Sequence, residues 1–124
     1  MTPHITTKHL GGDLWVVSLE GEHDLASASD LRETVSNMFA TGTCLVIDLS
    51  AATFIDSTIL CELIRANHRT DDNEKLAVVA SPQSCAARLF DLAGVDDRWF
   101  PRFDATGAAI EWCRGQPAAH LSAH

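Results

Sequence analysis

No stretch of this chain approaches the roughly 20 consecutive apolar residues that span a bilayer, and the opening "MTPHITTKHL" lacks the apolar core of a secretory signal. A cytoplasmic protein without membrane insertion is expected. Basic residues are scarce: 9 Lys and Arg face 17 Asp and Glu, leaving a formal charge of -8. Nucleic-acid backbones and anionic membrane surfaces both attract basic patches, so this deficit argues against direct contact with either. A basic protein partner fits better. The four cysteines, Cys44, Cys61, Cys85 and Cys113, form no C-x-x-C pair, and three of them sit inside apolar runs. They read as reduced core thiols rather than as disulfides or metal ligands.

Chemical motifs are missing as well. Ser57 stands beside Asp56, but the G-x-S-x-G turn around which strand-turn-helix hydrolases build a nucleophile is absent, so no enzyme is expected. There is no G-x-x-x-x-G-K-[ST] phosphate loop, and no glycines form a dinucleotide loop after a strand. His4, His9, His23, His68, His120 and His124 are spread without ligand spacing, so neither a metal nor a cofactor is expected.

What is present suits one domain. The chain has 124 residues and is 46% hydrophobic, enough for a single core over residues 1–115. The aperiodic residues 116–124 read as a disordered tail. "ITTKHLGGDLWVVSLEG" holds two extended runs around Gly11 and Gly12, a hairpin signal. "SASDLRETVSNMFATG" places Leu31, Val35, Met38 and Phe39 at helical spacing, with Ser27 as expected N-cap and Gly42 past the end. "CLVIDLS" is apolar without alternation, the pattern of a parallel strand covered on both faces.

From Ser57 to about Thr70 a helix is expected, with Ile59, Leu60, Leu63 and Ile64 in one buried stripe. "TDDNEK" is a solvated loop. "LAVVA" is then a buried strand, and Ser81 and Pro82 cap and open a helix that Gly94 stops. "RWFPRF" reads as an edge strand because of Pro101, followed by a helix from about Asp104. The alternation implies an α/β fold: a small mixed β-sheet, N-terminal hairpin plus parallel strands, flanked by about four helices. Sites in such sheets collect at the carboxyl ends of parallel strands. Two segments land there, both read as loops: "GEHDLAS" and "AATFIDST".

The second of these runs into "TFIDSTILCELI", where a carboxylate and two hydroxyls stand between apolar residues. A helix start accounts for Asp56, Ser57 and Thr58, whose side chains can accept the unpaired N–H groups of a first turn. It also exposes the Ser57 hydroxyl, which suggests phosphorylation by a partner.

Three stretches resemble the STAS domain, and within it the bacterial anti-sigma factor antagonists: "GEHDLASASDLRETV", "LVIDLSAATFIDSTIL" and "ARLFDLAGVDDRWFPRFDATGAAI". They occur in the family's order and cover nearly the whole chain. The resemblance implies a STAS-like fold. It also implies a partner, an anti-sigma factor that is itself a serine kinase using ATP and magnesium. That kinase would phosphorylate Ser57, the unphosphorylated form would release a sigma factor, and a phosphatase would reverse the mark. Asp56 matches the acid preceding the phosphoacceptor, Thr58 the hydroxyl following it and Asp24 the acid of the G-E-x-D loop. The expected partner face comprises His23, Asp24, Asp56, Thr58 and Cys61, on a monomer or weak homodimer.

Two positions depart from the family pattern. Ile59 replaces a glycine, and a β-branched side chain there is expected to crowd a kinase backbone near Ser57. His23 replaces an aliphatic residue and reads as a solvated loop histidine, one that would make binding pH-sensitive if it flanked the interface. A rival reading keeps the fold but makes the chain a non-phosphorylated scaffold or regulatory subunit of a larger assembly, such as a transporter complex.

Overall fold

The computed structural model describes residues 3–71 and 74–115. The expected tail, residues 116–124, lies outside the described residues. Strands β1 (His4–His9) and β2 (Leu14–His23) form the expected antiparallel hairpin, turning at Gly11 and Gly12 with φ of 91° and 56°. Next come α1 (Leu25–Thr41), β3 (Cys44–Asp48), β4 (Ala52–Ile55) and α2 (Ser57–His68). After them come β5 (Lys75–Val79), α3 (Cys85–Ala93), β6 (Arg102–Phe103) and α4 (Thr106–Cys113). The sheet runs β1-β2-β3-β5-β6, parallel from β2 onward, and β4 pairs in parallel with the far end of β2.

The unbroken apolar run of β3 has the expected cause. Leu45 and Ile47 enter a core shared with α1, α2 and α3, whereas Val46 enters a second core closed by Ala109 and Cys113 of α4. In β5, Leu76 and Val78 join the first core and Ala77 and Val79 the second. Period-2 alternation thus separates two buried faces instead of one buried face and one wet face. Phe90 and Phe100 meet edge to face in the first core, ring centroids 5.2 Å apart.

The structure corrects four boundaries. Helix α1 starts earlier than expected: Asp24, not Ser27, is its N-cap, accepting from the Ala26 amide at 2.9 Å. Ser27 is one turn inside and buried. Likewise Ser84, not Ser81, caps α3, accepting from the Ala87 amide at 3.1 Å, because Ser81 and Pro82 form a preceding turn closed by the Ser84 amide on the Ser81 carbonyl. Helix α2 ends at His68, and α4 begins at Thr106. The largest correction concerns the two segments read as loops. Residues Gly21 to His23 continue β2, and Ala52–Ile55 is a strand paired to them. Thr53 and Phe54 are exposed, so β4 has too little apolar pattern to announce itself and forms because β2 offers an edge.

Gly42 ends α1 with extended φ of -154°, so its role is space, not conformational freedom. A Cβ there would lie 2.6 Å from the Asp13 carbonyl oxygen, the acceptor for the Thr43 and Cys44 amides that start β3. Gly42→Ala is expected to destabilise the fold by about 1–3 kcal/mol, measured as a lower urea midpoint with an unchanged slope.

Candidate functional site

Pairing of β4 with β2 brings two helix starts side by side. The Asp56 amide donates to the His23 carbonyl at 3.2 Å, tying the N-cap of α2 to the residue just before the N-cap of α1. Asp56 Oδ1 accepts from the Thr58 amide at 3.0 Å, from the Ile59 amide at 3.4 Å and from the Thr58 hydroxyl. In both caps Oδ1 takes the bonds. The Oδ2 atoms of Asp24 and Asp56 accept no hydrogen bond among the described residues, which leaves each carboxylate able to receive a donor from outside.

Ser57 is the first residue of α2 and is exposed. Beside it runs a groove of about 200 Å³ between α1 and α2, whose lining includes Leu25, Arg32, Thr58, Cys61 and Arg65. The groove is also lined by Glu62, and neither an imidazole nor a lysine is among the side chains that line it. Leu25 is 71% exposed and Phe54 48%, which puts two unpartnered apolar side chains next to Asp24 and Asp56. Apolar anchors among charged hydrogen-bonding groups are what a protein interface offers.

Of the residues expected on this face, Asp24, Asp56, Thr58 and Cys61 reach it. Thr58 is half-buried and commits its hydroxyl to Asp56. His23 is not a solvated loop residue but fully buried. Its Nε2 donates to the Glu20 carbonyl at 2.8 Å, and its Nδ1 lies 3.1 Å from Ser27 Oγ. It holds up the α1 start from beneath. Ile59 is 0% exposed and packs in the main core, as its place in the buried stripe of α2 predicts, and this overturns the expected crowding of a kinase backbone, because the side chain adds no bulk to the surface around Ser57.

Sequence reading missed Glu62. It is 3% exposed and takes two arginines: Arg32 of α1 through Nη2 at 2.5 Å and Nε at 3.2 Å, and Arg65 at 3.2 Å. The available signal was its i,i+3 spacing to Arg65. The hydrogen bond from Arg32 holds the Glu62 carboxyl below its ordinary value against the opposing effect of burial. Together the three side chains carry a net positive charge at the groove, on a chain whose total is -8.

Among known families, the profile described as STAS domain matches residues 4–109. The anti-sigma-F factor antagonist RsfB of Mycobacterium tuberculosis is 36% identical over 101 residues, 81% of this chain and 81% of its own. Among solved structures, an anti-sigma factor antagonist from Mycobacterium paratuberculosis superposes with TM-score 0.80 at 28% identity, covering 91% of this chain and 95% of that one. The Bacillus cell fate determinant SpoIIAA in its phosphorylated form shares the fold, with TM-score 0.66 at 18% identity over 88% of this chain and 98% of its own.

Because the folded Glu62 carboxyl titrates below its ordinary value, its contribution is present above the ordinary carboxylate range and fades as pH falls through the lowered value. Glu62→Gln is expected to cost about 2 kcal/mol at pH 7, since two arginines lose their counter-charge. Urea denaturation from pH 7 to pH 3 should show the gap between variant and parent closing toward the acid end.

Proposed function

Since this chain belongs to the STAS domain family, we propose that it is an anti-sigma factor antagonist whose affinity for a serine-kinase anti-sigma factor is set by phosphorylation of Ser57. One observation carries this reading: an exposed serine at a helix start, framed by two capping carboxylates with free oxygens and by exposed Leu25 and Phe54. Asp24 and Asp56 would receive partner arginines or lysines as charge-assisted hydrogen bonds, while Leu25, Phe54 and Cys61 supply contact. His23 and Thr58 would act indirectly, by holding the α1 start and the Asp56 carboxylate.

The magnitudes say where the switch acts. A phosphate at the first residue of α2 would meet the positive end of the helix dipole, an interaction of about 0.3–1 kcal/mol in favour of the fold. The same phosphate adds about -1.5 to -2 charges beside Asp56. In an interface, like-charge crowding of that kind costs several kcal/mol. Phosphorylation would therefore weaken partner binding without unfolding the domain, and a phosphatase would restore it.

Incubation with a serine-kinase anti-sigma factor and ATP is expected to add about 80 Da at Ser57 and to lower affinity at least tenfold. Binding without any adduct would sink the switch and favour the scaffold-subunit reading. Asp24→Asn keeps an oxygen for the Ala26 amide but removes the charge, so its thermal midpoint should match the parent while partner affinity falls. Unchanged affinity would confine Asp24 to capping.

A further inference from the structure

The four cysteines look solitary in sequence, but two of them meet in the fold. Cys44 begins β3 and Cys113 ends α4. The Cys44 thiol lies 3.3 Å from the Cys113 carbonyl oxygen, and Cys113 is buried while Cys44 is half-buried. Lys75 stands opposite Cys44 across the β3–β5 ladder, its ammonium donating to the Trp112 carbonyl at 3.2 Å. A cavity of about 400 Å³ bordered by Gly12, Asp13, Thr43 and Arg114 includes both cysteines in its lining and opens an approach to the half-buried Cys44. Two adjacent thiols, a cation and an open approach are the ingredients of a redox-reactive site.

We propose that Cys44 and Cys113 form a dithiol that a hydroperoxide oxidises to a disulfide, fastening the end of α4 to the start of β3. The more accessible Cys44 reacts first. Its thiolate attacks one peroxide oxygen, the O–O bond breaks, and the departing hydroxide or alkoxide takes up the thiol proton, leaving a sulfenic acid on Cys44. The Cys113 sulfur then attacks the Cys44 sulfur, the S–O bond breaks, and water leaves with the Cys113 proton. In sum, two thiols and one hydroperoxide give a disulfide, an alcohol or water, and one further water. Two electrons pass from sulfur to oxygen.

The order of events agrees with the surroundings of Cys113. Burial first, and the neighbouring Cys44 second, push its thiol up to about 12, partly offset by Lys75. It is therefore the poorer initial nucleophile, and its contact with Cys44 is what fits it to resolve the sulfenic acid. The other two cysteines differ: Cys61 stands exposed on the Ser57 groove, and the Cys85 thiol faces the Ala52 carbonyl at 3.6 Å. Because α4 packs on the opposite face of the sheet from α1 and α2, the disulfide stands apart from the Ser57 surface.

The test treats the full chain with hydrogen peroxide, alkylates remaining thiols in denaturant and maps peptides by mass spectrometry. The expected result is a single linked pair of peptides bearing Cys44 and Cys113, about 2 Da lighter than the two thiol peptides combined, reversed by dithiothreitol. Cys61 should remain alkylated or oxidise independently, and Cys61→Ser should leave the link intact. Cys113→Ser should convert the product to a Cys44 sulfenic acid that dimedone traps. Absence of the linked pair in the parent chain, whether the thiols stay unreacted, are singly oxidised or join different molecules through Cys61, would overturn the proposal.

Discussion

The surface around Ser57 depends on one short parallel pairing, that of Gly21, Glu22 and His23 with Ala52, Phe54 and Ile55. Each strand ends where a helix begins, so aligning the strands aligns two helix N-termini. The bond from the Asp56 amide to the His23 carbonyl fastens the two caps at one point. Both caps are aspartates, so the pairing concentrates negative charge and an exposed hydroxyl in one place. Burying His23 beneath it is tolerable because both ring nitrogens have partners.

A second constraint fixes how α1 lies on α2. Glu62 is buried against the inter-helix groove, and its carboxylate is satisfied by one arginine from each helix. An apolar side chain in that position could stabilise the fold as much. What the ion pair supplies is direction: α1 must present residue 32 to α2 at residue 62, and a slip of either helix would strand a buried charge. The groove beside Ser57 thus has walls of fixed geometry, lined by one arginine from each helix and by the exposed Leu25 of α1.

Long-period features of the fold were legible in the residues. The hairpin at Gly11 and Gly12, the two-sided burial of "CLVID" and the stripe of Leu60 and Leu63 in α2 all follow from patterns repeated over several positions. Short features were not. The four residues of β4 have two exposed side chains, and a strand that exists because a neighbour offers hydrogen bonds leaves little local trace. Capping residues were misplaced at Ser27 and Ser81 because serine suits several turn geometries, and the choice was made by packing: Ser27 is drawn inward to His23 and Ser84 lies closer to the helix it caps.

The sequence by itself determined the class of fold, the helix start at Asp56 and the exposure of Ser57, because apolar periodicity and capping chemistry act over a few residues. The fold alone decided that His23 is buried. It also made Glu62 a shared counter-charge and brought Cys44 within reach of Cys113. The last two depend on partners far along the chain, 30 residues away for Arg32 and Glu62 and 69 for the cysteines. No local pattern encodes such a partner, since only the closing of the sheet sets the distance between them.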